Sequence, residues 1–395
     1  MNLHKFWNNE PIINFNDKNI QFNKDNCPIQ IKDIDLIRKL PYDLPTKENV
    51  SSSLSWYQFD LEKESDLDLF TNFLNKYYGD DNSGNFKLTY PKYFLKWFIC
   101  QPGYYKDLII GIKHNNDIVA TIVGIPIYVN VFKYLMKQVE INFLCIDKVI
   151  RGYGLAPLLI KEVTRRTNLH DIWQAIYTTN LNLPNNLCKI SYYHRNINTI
   201  KLLETSFCTL SSYIQLDNNK LEDFLNFHKI NEPLKFIEFE RLTINNARHV
   251  CHMLNDYLKK YNIFQFFSYE QFIHHFLDND YMYSYITIED KVITNFISFY
   301  VMPNKIINNK SYDKINKAYL YYYFNYTESL FDIVSNILII IKNLNIDVID
   351  CLDIFDYKSI FNDLHFTEGN GHINYYLYNW KCPQITNNML GLSMV

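Results

Sequence analysis

Two stretches of this chain carry the same order of predicted elements, and that repetition narrows the choice of fold more than any single motif. Apolar spacing predicts two helices, a β-hairpin, a longer helix and a strand in each half of the 395 residues. In the first half these elements cover residues 67–78, 93–99, 108–113 with 118–127, 155–167 and 172–178, with a further strand at 139–146. In the second half they cover 244–260, 269–277, 283–288 with 291–302, 328–343 and 346–352, followed by a helix at 358–364 and a strand at 373–380. The pattern breaks near Asp217–Lys220, so we predict an α/β (α+β) fold of two tandem units, residues 1–215 and 216–395.

Composition excludes several classes of protein. The net charge of −3, without a long Lys/Arg run, argues against nucleic-acid binding. The most apolar segment, residues 337–341, is far shorter than the ~20 residues that span a bilayer, so we expect no integral membrane segment. The eight cysteines form no C-x-x-C pair and the first residues lack an apolar leader, which predicts a reduced, cytoplasmic protein. The chain has 32 tyrosines, many of which are expected to line a cleft or interface.

The densest local signal is an apolar strand that runs into a glycine-containing turn and then a helix. The strand is E-I-N-F-L-C-I at 140–146, and the turn is R-G-Y-G-L-A-P at 151–157. Glycines let a backbone approach an anion, and the first N–H groups of a helix bind phosphate. Glycine also occurs in such turns for purely steric reasons, so the residues alone leave both interpretations open. The Rossmann fingerprint fits poorly because the third glycine is missing.

These residues resemble a known family. E-I-N-F-L-C-I, followed by L-A-P-L-L-I-K-E-V-T-R-R-T-N-L-H, is similar to the signature of the glycylpeptide N-myristoyltransferases, and R-x-x-G-x-A resembles the pyrophosphate loop of the GNAT acyltransferases. The similarity continues through H-K-F-W at 4–7, Q-A-I-Y-T at 174–178, Y-H-R at 193–195, S-F-Y at 298–300 and Y-Y-L-Y-N-W-K-C-P at 375–383. It implies two GNAT-like units with pseudo-twofold symmetry around a mixed, curved central sheet. The first unit would bind acyl-CoA, and the second would supply most of a peptide groove and the C-terminal carboxylate.

The resemblance implies a reaction and its residues. Myristoyl would pass from myristoyl-CoA to the N-terminal glycine amine of an acceptor protein by direct attack, without a permanently bound cofactor. The backbone N–H groups of Phe143 and Leu144 would form the oxyanion hole, and the carboxylate of Val395 would act as base. Asn142 and Thr178 match positions that help to hold the substrate amine.

The donor would bind along the N-terminal half. The matching positions are His4, Lys5, Phe6, Trp7, Phe143, Leu144, Cys145, Ile146, Arg151, Gly152, Tyr153, Gly154, Leu155, Ala156 and Pro157. The family usually has S-K-R where this chain has Gly152, Tyr153 and Gly154. Two cations near the phosphates are therefore missing, and we predict weaker, more salt-tolerant binding of the donor.

The acceptor would lie in a groove of aromatic and polar residues. The matching positions are Tyr78, Asp80, Asp81, Phe86, Leu88, Tyr177, Tyr192, His194, Ser298, Tyr319, Asn370, Gly371 and Tyr375. His194 would favour the serine or threonine of a G-x-x-x-S/T acceptor. Asn370 stands where the family has Asp, and Ser83 also replaces an acid, so we expect less demand for a lysine in the acceptor.

Three functions stay open at this point. The first is the glycine myristoyltransferase, and the second is a related acyltransferase with another chain length or lysine acceptors. The third is a non-catalytic acyl-CoA or peptide binder, which Asn142, Thr178 and the Phe143–Leu144 pair argue against. No metal site is predicted, because His249 and His252 have no further ligand at a suitable spacing. We expect a monomer.

Overall fold

The computed structural model describes residues 6–12, 26–30, 32–45, 54–79, 84–183, 185–209, 220–277, 279–307 and 309–394. Five residues with predicted roles lie outside these ranges, namely His4, Lys5, Asp80, Asp81 and Val395. Their roles stay predictions.

Within these ranges, helices and strands alternate along the chain. The helices are α1 Glu64–Tyr77, α2 Lys92–Ile99, α3 Leu155–Leu169, α4 Thr199–Glu204, α5 Lys220–His228, α6 Ile244–Leu258, α7 Tyr269–Phe276 and α8 Leu330–Asn343. The strands of the N-terminal half are β1 Leu54–Gln58, β2 Phe86–Leu88, β3 Ile109–His114, β4 Asp117–Val131, β5 Tyr134–Ile146, β6 Ala175–Thr179 and β7 Cys188–Asn196. The strands of the C-terminal half are β8 Glu240–Arg241, β9 Ile263–Phe266, β10 Met282–Glu289, β11 Val292–Ile306, β12 Lys314–Asn325, β13 Val348–Leu352, β14 Thr367–Tyr378 and β15 Leu390–Gly391.

One large mixed sheet organises the described residues. Its main order is β1-β3-β4-β5-β6-β14-β7-β13-β12-β11-β10-β8. In the first half the β3–β4 hairpin and β5 are antiparallel, and α3 leads to β6, which is parallel to β5. The second half repeats this series with β10, β11, β12, α8 and β13, where β12 and β13 are parallel. The mixed α/β fold predicted from the sequence is confirmed.

The two repeats exchange strands at the centre of the sheet. β7 follows β6 along the chain but pairs with β13, and β14 follows β13 but pairs with β6. β7 and β14 also pair with each other. One hydrophobic core extends from Phe59 to Met394, through both repeats. The division into 1–215 and 216–395 stays a prediction, since it separates repeats that share their central strands.

Helix α3, which follows the glycine turn, packs into a second hydrophobic cluster with β3, β4 and β5. It begins after Gly154, whose φ of 77° is left-handed and suits glycine. Leu155, Leu159 and Val163 recur at helical spacing and are buried against the sheet. Because α3 is packed against the sheet, the position of the turn relative to the end of β5 is fixed. Among the described residues no helix is long and apolar enough to cross a membrane.

Several elements differ from the sequence prediction. β7 and β12 were missed, because β7 has a stretch of four half-buried residues and β12 a stretch of buried ones, so neither alternates clearly. The helix predicted at 358–364 is a short 3₁₀ turn, Tyr357–Ile360. The strand predicted from residue 172 begins at Ala175, after Asp171 takes a left-handed φ of 59°.

Candidate active site

A bulge interrupts β5 at the centre of the predicted site. Thr121 of β4 faces Cys145, and Val123 faces Asn142, so one residue of β4 opposes both Phe143 and Leu144. Phe143 takes a φ of 53°, which is costly for an aromatic residue and needs support from its surroundings. Such a bulge turns backbone groups away from the regular ladder. The two residues in the bulge, Phe143 and Leu144, are the ones that the resemblance assigns to the oxyanion hole.

Packing holds the bulge in this conformation. The Phe143 ring is buried, and the rings of Phe70, Tyr78, Tyr90 and Phe98 meet it edge-on at centroid distances of 5.5 to 6.2 Å. Its carbonyl oxygen accepts a hydrogen bond of 2.9 Å from the Thr121 hydroxyl. Leu144, the next residue, is 37% exposed. The backbone therefore passes from the core to an accessible surface within one residue.

Asn142 is oriented by a buried acid. Its amide nitrogen donates a 2.6 Å hydrogen bond to Oε1 of Glu140, two residues earlier on the same face of β5. Burial raises the pKa of Glu140 to about 7, against the lowering effect of that hydrogen bond. Gln138, also buried on this face, has no hydrogen-bond partner for its amide among the described residues. In the sequence, Glu140 was noted only as part of a motif, and no feature of the motif predicts that its side chain is buried.

Thr178 lies beside Asn142 across a gap in the sheet. β5 and β6 pair in parallel as far as Ile141 and Tyr177, and then the ladder between them ends although both strands continue. The next residues on the two strands are Asn142 and Thr178. The two predicted amine-holding residues therefore face the same opening.

The end of the described chain is anchored next to this opening. The backbone N–H of Met394 donates to the Tyr375 hydroxyl at 3.2 Å, and that hydroxyl donates to the Leu392 carbonyl at 3.3 Å. The N–H of Ser393 donates to the Tyr322 hydroxyl at 3.1 Å. Residues 392–394 are buried, and Tyr375 pairs with Thr178 across β14 and β6. The chain is thus brought inside the protein up to the residue before Val395.

Two aromatic residues of the N-terminal segment pack on the other side of the gap. Trp7 stacks on Tyr177 at 5.9 Å, and Tyr177 stacks on Tyr376 at 5.2 Å. The Lys161 ammonium of α3 lies 6.0 Å from the ring of Phe6. Burial raises the pKa of Tyr177, so its hydroxyl stays protonated. A small, open cleft adjoins this stack and is lined by Ile12, Leu187, Leu377, Trp380 and Cys382 together with the polar residues Asn185, Asn186 and Gln384.

The glycine turn is open on its outer side. Gly152 and Gly154 have φ values of 90° and 77°, and no atom lies within 4 Å of where a Cβ would stand. The Arg151 side chain bends back to donate to the Ile146 carbonyl at 3.2 Å. Tyr153 is exposed, at the start of α3. The predicted donor-binding residues 145–146 and 151–157 therefore lie around one helix N-terminus.

The predicted acceptor groove contains five tyrosines, of which Tyr375 is fully buried and Tyr78, Tyr177, Tyr192 and Tyr319 are half-buried. Tyr300 stacks on Tyr319 at 4.9 Å, and burial raises the pKa values of Tyr78 and Tyr192 to about 12. Ser298 is fully buried, and its hydroxyl both donates to the Tyr322 carbonyl and accepts from the Tyr322 N–H. The fold therefore uses the Ser298 hydroxyl to bridge the bulged pair β11–β12.

The remaining groove positions lie along β2 and β14. Phe86 and Leu88 pair with β11, and the Phe86 ring meets Phe207 at 5.6 Å. Asn370 and Gly371 are exposed at an irregularity between Glu368 and His372.

His194 sits in a charged cluster that the sequence did not reveal. Its Nδ1 lies 2.6 Å from Oδ1 of Asp350, and the other oxygen of Asp350 lies 2.5 Å from Nζ of Lys317. Burial alone would raise the pKa of Asp350, but its contacts with His194 and Lys317 lower it. A Cβ at Gly369 would overlap Nε2 of His194. Asp350 and Lys317 meet only because β12, β13 and β7 are neighbours.

Comparison with known proteins identifies the family. Models of the N-terminal and C-terminal domains of myristoyl-CoA:protein N-myristoyltransferase match residues 28–190 and 204–392. A glycylpeptide N-tetradecanoyltransferase of Plasmodium falciparum is 34% identical over 395 residues, which cover 99% of this chain and 93% of the relative. The chain belongs to the N-myristoyltransferase family.

Other N-myristoyltransferases agree in sequence and in fold. The Dictyostelium discoideum enzyme is 33% identical, over 99% of this chain and 92% of its own length. A crystal structure of Saccharomyces cerevisiae N-myristoyltransferase with bound myristoyl-CoA has a TM-score of 0.90 at 30% identity, covering 99% of this chain and 95% of that one. These matches confirm the family, the fold and the prediction of an acyltransferase.

Proposed function

We propose that this acyltransferase moves a myristoyl group from myristoyl-CoA to the N-terminal glycine amine of acceptor proteins. The observation that carries the proposal is the convergence of the Phe143–Leu144 bulge, Asn142, Thr178 and the buried segment 392–394 on one opening of the sheet. The yeast N-myristoyltransferase of the same fold is described with bound myristoyl-CoA, which supports the choice of donor.

The donor is proposed to run from the glycine turn to the bulge. Its phosphates would meet the backbone of the turn 151–154 and the N–H groups that open α3. The rest of the donor would pass the stacked rings of Trp7 and Tyr177. We place the thioester carbonyl at Phe143 and Leu144. Two fixed N–H donors in a dry site would stabilise the developing oxyanion by ~3 kcal/mol each.

The acceptor amine is proposed to sit between Asn142 and Thr178. Because the Asn142 amide nitrogen donates to Glu140, its carbonyl oxygen is left to receive the amine N–H. The amine nitrogen attacks the thioester carbon, the C–S bond breaks, and the CoA sulfur leaves with the electron pair. The amine proton passes to a base, and the thiolate finally takes a proton.

The base is proposed to be the carboxylate of Val395, directly after the anchored segment 392–394. Complete transfer from an amine of pKa ~7.9 to a carboxylate of pKa ~3.5 costs ~6 kcal/mol in water. About a tenth of the amine is already neutral at pH 7, however, and attack on the carbonyl makes its nitrogen far more acidic. A weak acceptor in the right place is therefore sufficient.

Selection of the acceptor is proposed to follow from the groove. A glycine would be required because a side chain next to the amine would collide with the walls of the groove, and His194 would contact a serine or threonine further along. The roles of Asp80, Asp81 and Asn370, the monomeric state and the cytoplasmic location are carried forward as proposals from the sequence.

The reaction is tested by release of CoA from myristoyl-CoA with a G-x-x-x-S peptide. We expect turnover with this peptide and none with a matched peptide that begins with alanine. Equal turnover with both peptides, or turnover only with a lysine side chain as acceptor, would overturn the proposal.

The base is tested by lengthening the chain. Three glycines added after Val395 should abolish turnover while the affinity for myristoyl-CoA stays within about twofold, since the donor site lies elsewhere. The control carries the three glycines at the N-terminus. Full activity of the C-terminally extended enzyme would exclude Val395 as the base.

A further inference from the structure

Three ionisable side chains meet in the wall of the proposed acceptor groove. Lys317 on β12, Asp350 on β13 and His194 on β7 come from three adjacent strands. The side chain of Lys317 is 8% exposed and that of Asp350 is 2% exposed, whereas that of His194 is 23% exposed. Of the three side chains, only that of His194 is substantially exposed.

The pair behind His194 is expensive to bury. Moving an ammonium and a carboxylate out of water costs several kcal/mol per ion, and apolar residues of similar size often give an equally stable protein. The Lys317 ammonium lies 5.2 Å from the ring of Phe207 and 5.5 Å from that of Tyr319, so its surroundings are largely aromatic. Stability is therefore a poor explanation of the pair, and its effect on His194 is a better one.

Asp350 determines which hydrogen bond His194 offers to the groove. An ionised carboxylate only accepts hydrogen bonds, so Nδ1 of His194 must donate to it. In a neutral imidazole, Nε2 then carries the lone pair and accepts. Nε2 lies against Gly369, where a side chain would collide with it. A hydroxyl group can donate to this nitrogen, but a carboxylate or phosphate cannot unless the ring takes a second proton.

Lys317 decides whether the second proton is favoured. With Lys317 present, the charge of Asp350 is already balanced, so an additional proton on the ring would leave the cluster with a net positive charge. Without Lys317, Asp350 would have His194 as its only partner in the cluster, and a protonated imidazole would restore neutrality. Tyr192 and Tyr319 also face Asp350, and burial keeps both hydroxyls protonated.

We propose that Lys317 and Asp350 are specificity-determining residues that make His194 a hydrogen-bond acceptor, so that the groove selects an uncharged hydroxyl and rejects an acidic side chain at that position of the peptide. This inference rests on the proposed function and names two residues beyond the predicted site. On this view, the preference for a hydroxyl over an acidic side chain results from the balance between the charges of Lys317 and Asp350 beside His194.

The test compares three glycine-initiated peptides that carry serine, alanine or aspartate at position five. In the wild type we expect kcat/KM to be highest for serine and lowest for aspartate. Lys317→Met should raise the aspartate-to-serine ratio about tenfold, the effect of roughly 1.4 kcal/mol. Lys314→Met, on the same strand but exposed, should leave the ratio unchanged. An unchanged ratio in Lys317→Met would overturn the inference.

A double variant separates charge balance from simple damage. Lys317→Met with Asp350→Asn is neutral and keeps a side-chain oxygen that can accept from Nδ1, so the preference for serine should return. A ratio that stays high in the double variant would contradict the charge argument. If all glycine peptides fail while donor binding is intact, the proposed function fails; if they react with an unaltered ratio, only this inference fails.

One measurement reads the state of His194 directly in the wild type. ¹⁵N NMR of the histidine rings in the wild type at pH 7 should show His194 protonated at Nδ1 alone, with the signal assigned by its loss in His194→Gln. A doubly protonated ring, or a proton at Nε2 alone, would overturn the inference.

Discussion

Replacing Glu140 with glutamine removes a carboxyl group that the fold buries at the edge of the proposed active site. The substitution keeps an oxygen that can accept the hydrogen bond from Asn142, and it changes the side-chain volume little. What it removes is the cost of ionising a group in the interior. Because burial raises the pKa of Glu140 to about 7 from an ordinary 4.5, the native state holds a proton at pH values where the unfolded chain has lost it.

The sign and size of the effect follow from this difference. The contribution of Glu140 to the free energy of unfolding is fully present below pH 4.5 and declines as the pH rises towards 7, because only the unfolded state ionises freely over that interval. A difference of about 2.5 pKa units corresponds to ~3 kcal/mol, of which ~2.5 kcal/mol is lost between pH 5 and pH 8. His228 and His275 act in the opposite direction, since burial lowers their pKa values to about 3. Only the difference between variant and wild type isolates Glu140.

Urea unfolding followed by tryptophan fluorescence at pH 5, 6, 7 and 8 measures that difference. The free energy of unfolding of Glu140→Gln minus that of the wild type should increase by ~2 to 3 kcal/mol as the pH rises from 5 to 8. Glu238→Gln, which alters an exposed acid, should follow the wild type at every pH. Parallel curves for wild type and Glu140→Gln would show that Glu140 ionises as it does in water, and the argument from burial would be refuted.

The remaining predictions concern activity. Tyr375→Phe removes the hydroxyl that accepts from the Met394 N–H, so kcat should fall about tenfold with donor affinity unchanged; an equal loss of donor affinity would contradict this. Gly369→Ala should displace His194 and raise the KM for the acceptor severalfold, whereas the affinity for myristoyl-CoA should not change; an unaltered KM would count against the placement of the groove. Donor affinity should depend weakly on ionic strength in the wild type and more steeply in Tyr153→Lys, measured by titration at several salt concentrations; a steep slope in the wild type would disprove the effect assigned to the missing cations.

Local sequence predicted the strand, turn and helix that carry the proposed donor site. The turn at Gly152 and Gly154 and helix α3 depend on residues within a few positions of one another, so their pattern is visible in the chain itself. β7 was missed because its residues are half-buried on both faces and do not alternate. The place of β7 is decided by exchange between the two repeats, which no local pattern encodes.

The candidate site divides in the same way. Phe143 and Leu144 are adjacent in sequence, but the φ of 53° at Phe143 depends on aromatic rings from α1, α2 and the segment between them. Asn142 and Thr178 were paired only through resemblance to a family, and the parallel register of β5 and β6 is what aligns them.

What the sequence determined by itself is the order of many helices and strands, the apolar faces that build the core, and the glycine-containing turn before α3. Those features arise from interactions between near neighbours, and the side chains that make them are written in order along the chain. Tertiary structure alone decided that Glu140 is buried and that Lys317, Asp350 and His194 form one cluster. The reason is that the dielectric environment and the partners of a charged group are set by residues far away in sequence. These residues become neighbours only when the strands pair in the folded sheet.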